Sequence, residues 1–101
     1  MKNQKTSNFL EELYLIIKTR AEGKRKNSYT KSLIKKGKNK ISQKVGEELI
    51  ELIVEYLNGS KKRTIEEAAD LIYHLLVLLY SKKITIKDIK KELAKRKSVR
   101  R

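Results

Sequence analysis

Two short acidic patterns constrain this chain more than any other feature. Val45-Gly46-Glu47-Glu48-Leu49-Ile50-Glu51 and Glu66-Glu67-Ala68-Ala69-Asp70 both lie in segments that read as helix. At about 3.6 residues per turn, positions three or four apart share a face. Glu48 and Glu51 therefore project together, as do Glu67 and Asp70, and Glu47 lies one turn from Glu51. On a helical wheel Lys44, Glu47, Glu48, Glu51 and Glu55 fall within an arc of about 100°. Leu49, Ile50, Leu52, Ile53, Val54, Tyr56 and Leu57 cover nearly everything else. The second helix behaves alike, with Glu66, Glu67, Asp70, Tyr73 and His74 within about 120° on a rod of leucine and isoleucine.

An ordinary surface helix has a broad polar face and an apolar stripe. These two have the reverse. Burying one unpaired carboxylate costs several kcal/mol, so stacked like charges on apolar rods point to a cation between two facing helices. Glu48, Glu51, Glu67 and Asp70 are the candidate ligands, and both helices need more apolar cover than a short chain supplies. A homodimer or larger assembly with bundle-like packing is expected. A rival reading makes Glu67 a capping-box partner for Thr64, and Glu51 and Glu55 solvated partners of Lys44 and other lysines.

The 101 residues suit one domain, 1–101, with residues 1–7 and 97–101 as polar tails. No proline and only four glycines favour an all-α fold of four main helices with short connections. No cysteine is present, which excludes disulfides and thiolate zinc sites, and a single histidine excludes a multi-histidine centre. Any metal must then be held by oxygen, as magnesium, manganese or calcium would be. The longest apolar run, Leu71 to Tyr80, is too short to span a bilayer, and the N-terminus lacks the apolar core of a signal peptide. A cytoplasmic protein with no membrane contact is expected.

The net charge of +14 matters through its distribution. Residues 18–44 carry 11 Lys/Arg against Glu22 alone, and residues 81–101 carry 10 against Asp88 and Glu92. Residues 45–80 carry 7 Asp/Glu against Lys61, Lys62 and Arg63. An acidic centre between basic arms suits a ligand that brings phosphates and shares a metal with the carboxylates.

In chain order, Asn8 with Glu11 reads as the start of a first helix to about Arg20, burying Phe9, Leu10, Leu13, Ile16 and Ile17. Ser28-Tyr29-Thr30 opens a segment of one or two turns closed by Gly37. A long helix follows from Asn39 or Lys40 to Asn58. Thr64 with Glu67 reads as the capping box of the next, which reaches Tyr80, and Thr85 with Asp88 starts a last helix before a basic tail from Lys95.

Gly46-Glu47-Glu48-x-x-Glu51 followed by Glu67-x-x-Asp70 resembles the signature of the all-α, MazG-like nucleoside-triphosphate pyrophosphohydrolases. Ser28-Tyr29-Thr30, Leu33, Gly37, Lys44-x-Gly46-Glu47-Glu48, Asp70-Leu71-x-Tyr73-His74 and Leu93-x-x-Arg96 resemble more closely the phosphoribosyl-ATP pyrophosphohydrolases of histidine biosynthesis. The resemblance covers roughly residues 9–96. It implies hydrolysis of phosphoribosyl-ATP to phosphoribosyl-AMP and pyrophosphate with magnesium, or manganese in its place. Glu48, Glu51, Glu67 and Asp70 would be metal ligands, and Glu47 the group for water activation or a further metal contact. Lys40 and Lys44 would hold phosphate oxygens, with Arg20, Lys36 and Arg96 as further cations. Tyr29 would stack on the base or donate through its hydroxyl, Ser28 and Thr30 would bond a phosphate, and His74 would orient a ligand carboxylate. Many homologues are fused to the cyclohydrolase of the next step, whose motifs contain cysteine, so this chain reads as the stand-alone form.

Two alternatives stand beside this reading. One is a house-cleaning pyrophosphohydrolase of the same fold acting on dUTP or damaged triphosphates. The other is a basic helical nucleic-acid-binding protein, against which the acidic stripes and the few aromatics argue.

Overall fold

In a computed structural model of the chain, residues 8–24 and 28–99 are described. Five helices follow one another with short connections: α1 (Phe9–Glu22), α2 (Tyr29–Lys36), α3 (Lys38–Asn58), α4 (Lys61–Ser81) and α5 (Ile86–Val99). No strand occurs among the described residues, and the all-α reading with four main helices and a short one holds. No described helix is long and apolar enough to cross a membrane. The expected tail at 1–7 lies outside the described residues, as do Arg100 and Arg101.

The connections explain themselves locally. Gly37 turns the chain between α2 and α3 at φ +95°, a conformation that L side chains rarely adopt. Its N–H donates to Ile34 O at 3.1 Å, and its carbonyl accepts from Ile41 N at 3.1 Å. Before α5, Thr85 N donates to Asp88 Oδ2 (2.9 Å) and Asp88 N donates to Thr85 Oγ1 (3.2 Å), the reciprocal pair expected of a capping box.

Three local expectations are corrected. Helix α4 starts at Lys61, one turn before Thr64, because Ser60 is the cap: its Oγ accepts from Arg63 N at 3.1 Å. Thr64 is then inside the helix and donates to Ser60 O. Asn8 makes no side-chain cap bond. Helix α5 does not stop at Lys95 but continues to Val99, its basic end held by Glu92 ion pairs to Lys95 (3.5 Å) and Arg96 (3.3 Å).

Every helix gives a residue to the core: Tyr14 and Ile17 from α1, Leu33 from α2, Ile41 from α3, Leu76 and Val77 from α4, and Ile86 from α5. Leu13 is half-buried against it, whereas Phe9, Leu10 and Ile16, expected inside, are exposed in the single chain. The core thus gathers at one end of the α3–α4 hairpin, the most extensive helix pairing in the fold. Along the free faces of that hairpin Leu49, Ile50, Ile53, Val54, Leu57, Ile65 and Ile72 stay exposed. The apolar rods read in the sequence are therefore only half covered by this chain.

Candidate functional site

Antiparallel pairing of α3 and α4 sets opposite each other the residues that the sequence shows as separate stripes. Each step back along α3 is matched by an equal step forward along α4. Glu55 meets Arg63 at 3.8 Å, Glu51 lies close enough to Glu67 for their charges to interact, and Glu48 meets Glu67 and Asp70. About two turns beyond, Ile41 and Val77 join the core. A seam of polar groups therefore runs between two helices and ends against packed hydrocarbon.

Glu48, Glu67 and Asp70 each offer a carboxylate oxygen, and these oxygens lie within 4.8 Å of one another. Glu48 and Glu67 are buried, and Asp70 is open to solvent. Glu48 Oε1 and Glu67 Oε1 are buried with no hydrogen-bond partner. Buried polar atoms without partners are rare in native proteins and call for a specific explanation. Burial, then the hydrogen bond and charge of Glu51, push the Glu67 carboxyl above its usual range, with Arg63 pulling the other way. Glu51 itself is exposed and acts on the cluster through its charge beside Glu67.

Cations brace the outer oxygens. Lys44 Nζ lies 3.8 Å from Glu48 Oε2 and 3.4 Å from Glu47 Oε1. Arg63 Nη2 donates to Glu67 Oε2 at 3.1 Å, and its Nη1 to Glu66 Oε1 at 2.7 Å. Glu47 is exposed, and hydrogen bonds from Gln43 and Lys44 hold its carboxyl below the usual range. The sequence places Arg63 in a loop, where it has no expected role in the site. With the cap placed at Ser60, its spacing of three and four to Glu66 and Glu67 is the ordinary ion-pair spacing.

The second half of the site is the seat of α2 against α4. His74 Nδ1 lies 2.8 Å from Asp70 O and its Nε2 lies 2.6 Å from the Tyr29 hydroxyl. The carbonyl must accept, so Nδ1 carries the proton and Tyr29 donates to Nε2. His74 thus touches Asp70 through the backbone, not through its carboxylate. Thr30 is buried and hydrogen-bonded to the Tyr73 hydroxyl, which also accepts from Arg20 Nη1 at 3.2 Å. Ser28 Oγ accepts from Lys31 N at 3.2 Å as the α2 cap. Of the Ser-Tyr-Thr triplet only Tyr29 presents a broad exposed face, and Ser28 and Thr30 spend their hydroxyls within the fold. A cleft of about 910 Å³ opens here, lined by Leu15, Ile16, Arg20 and Lys24 on one side and Tyr29 and Asp70 on the other.

A family profile described as phosphoribosyl-ATP pyrophosphohydrolase matches residues 10–97. The chain belongs to this family. Similar proteins include a phosphoribosyl-ATP pyrophosphatase of Sulfolobus acidocaldarius, 46% identical over 91 residues, covering 90% of this chain and 96% of that one. Another from Clostridium novyi is 48% identical over 88 residues, covering 87% and 80%. The histidine biosynthesis bifunctional protein HisIE of Bacteroides thetaiotaomicron is 48% identical over 97 residues. The alignment takes in 96% of this chain but only 48% of that relative, so the chain spans about half its length. Family membership extends over both the carboxylate seam and the cleft beside it.

Proposed function

We propose that this chain hydrolyses phosphoribosyl-ATP to phosphoribosyl-AMP and pyrophosphate, a step of histidine biosynthesis, with magnesium at the α3–α4 seam. The observations behind the metal reading are the buried, partnerless Oε1 atoms of Glu48 and Glu67 and the gathering of one carboxylate oxygen each from Glu48, Glu67 and Asp70 within 4.8 Å. An all-oxygen donor set, partly buried and partly open, fits a hard divalent cation that keeps some of its water and binds substrate phosphates. Glu48, Glu67 and Asp70 would hold it, with Glu51 as the adjacent fourth carboxylate and manganese as a substitute. When bound, such an ion neutralises polyphosphate charge and polarises the phosphorus–oxygen bond under attack.

The remaining work falls to the chain's own residues. Arg63 and Lys44 fix the outer oxygens of Glu67 and Glu48, so the inner oxygens stay turned into the seam. Glu47, held ionised by Gln43 and Lys44, is a weak proton acceptor and is better suited to orienting the attacking water than to deprotonating it. Lys40 and Lys44, on the first turns of α3, supply positive charge for the β and γ phosphates. Tyr29 offers its exposed ring to the base.

A second copy of the chain is the proposed cover for the exposed hairpin face. Ile50, Ile53 and Leu57 lie along one line of α3, and Gly46 on the same line has nothing within 4 Å of where a Cβ would stand. A glycine there costs about 1 kcal/mol in helix propensity and leaves room for close helix approach. Sedimentation should give twice the chain mass, and Ile53→Asp should give the monomer; a monomeric parent protein would end this part of the proposal. The cytoplasm is the proposed compartment.

The substrate is tested by comparing pyrophosphate release from phosphoribosyl-ATP, ATP and dUTP under one set of conditions. Phosphoribosyl-ATP should be turned over far faster than the others. Equal rates, or a preference for dUTP, would favour a broad triphosphate pyrophosphohydrolase instead.

A further inference from the structure

Resting on the activity just proposed, we infer that Arg20 and Lys24 form the subsite for the substrate's distal phosphate, the monoester on the added phosphoribosyl group. The site described above accounts for the polyphosphate end: carboxylates for the metal, with Lys40, Lys44 and Arg63 around them. It leaves two cations and most of the cleft unused. Arg20 and Lys24 line that cleft from the α1 side, across from Asp70, Tyr73 and His74.

Arg20 is placed but not neutralised. Its Nη1 donates to the Tyr73 hydroxyl at 3.2 Å, and neither it nor Lys24 has a carboxylate partner among the described residues. A guanidinium has five N–H donors in a planar fork, so most of Arg20's donors stay available for a bidentate phosphate contact. Glu22, the nearest acid in sequence, is turned away to Lys18 (3.6 Å) and the Tyr80 hydroxyl (2.6 Å). Tyr73, which holds Arg20, lies about one helical turn along α4 from Asp70. The cation is thereby set apart from the carboxylate cluster yet in the same cleft.

The wall between is apolar. Leu15 and Ile16 of α1 are exposed into the cleft, and Tyr29 is half exposed opposite them. At about 910 Å³ the cleft has room for a nucleoside with a second sugar, more than a triphosphate chain needs. A base laid against Leu15 and Ile16, with its triphosphate on the seam, points its far substituent toward Gly23 and Lys24. Arg20 and Lys24 are then specificity residues: they separate a nucleotide bearing a second phosphate from ATP.

Binding of the nucleotide product and of its truncated analogue AMP measures this without turnover or metal. Titration calorimetry in excess chelator would compare phosphoribosyl-AMP with AMP, which lacks the distal phosphate. The unsubstituted protein should bind phosphoribosyl-AMP about 10- to 100-fold more tightly, the range of one charged hydrogen-bonded contact. Arg20→Met should remove most of that advantage, and Lys24→Met part of it. Thermal unfolding confirms that each variant is folded, and Lys24, exposed and without a described partner, serves if Arg20→Met is not. Equal affinities for phosphoribosyl-AMP and AMP in the unsubstituted protein would overturn the inference. So would an equal loss for both in Arg20→Met, which would put Arg20 on the nucleotide's own phosphate. Failure of the proposed activity appears separately, as no pyrophosphate release from phosphoribosyl-ATP.

Discussion

Tyr73→Phe is the most informative single-atom change in the fold. The hydroxyl it removes bonds buried Thr30 and accepts from Arg20, so one atom seats α2 on α4 and positions a cleft cation. Thr30 is only 1% exposed, so its Oγ1 would lose a partner that water cannot replace. Stranding a buried polar group costs about 1–3 kcal/mol. Thr30→Val should cost less, about 0.5–1.5 kcal/mol, because the Tyr73 hydroxyl keeps its bond from Arg20. The double variant Tyr73→Phe/Thr30→Val strands nothing, so its cost should fall short of the sum by roughly 1 kcal/mol. Urea unfolding followed by circular dichroism, at one fixed chain concentration, measures all three. In thermal melts the single Tyr73→Phe change should lower Tm by about 4–8 °C per kcal/mol. Strict additivity of the two substitutions would refute the seating role of this bond.

Two further outcomes test local readings. Ser60→Ala should cost about 1 kcal/mol as loss of a true N-cap, and Thr64→Ala clearly less; the reverse order in chemical unfolding would restore the helix start at Thr64. Tyr80, donating to Glu22 Oε2 at 2.6 Å, has its hydroxyl pKa pushed up to about 12 by that bond and by burial. Because the folded value lies above the ordinary value of about 10, its contribution to stability is whole below that pH and fades as pH rises toward 12. In ultraviolet titration of tyrosinate, Glu22→Gln should move the latest-titrating group back toward the ordinary range; no movement would contradict the assignment.

How far the sequence foretold the molecule depends on the range of the interaction. The acidic stripes, the all-α class, the Thr85–Asp88 cap and the Gly37 turn follow from spacing along one helix or from one residue's backbone freedom. The opposition of Glu48 to Glu67 and Asp70 follows once α3 and α4 pair antiparallel. Arg63 is not legible as a site residue because Ser60 and Thr64 have equal capping chemistry, and a start at Thr64 leaves Arg63 outside the helix. Thr30 and Ser28 read as ligands because hydroxyls near a cleft look alike in sequence, and only packing shows which are spent on Tyr73 and on a helix end. Phe9, Leu10 and Ile16 share the apolar face of α1 with Ile17, yet the five-helix core reaches only part of that face.

The central claim is that the α3–α4 carboxylates hold the metal that drives phosphoribosyl-ATP hydrolysis. Its most direct test is pyrophosphate release from phosphoribosyl-ATP across a magnesium titration, in the unsubstituted protein and in Glu67→Gln, with circular dichroism confirming that both are folded. Even changes to groups that only support a metal ligand cost about 10- to 100-fold, so replacing a ligand should cost at least about 100-fold. Turnover should depend on magnesium saturably and should collapse by that factor in Glu67→Gln. Turnover without divalent cation, or undiminished turnover in Glu67→Gln, would contradict the claim.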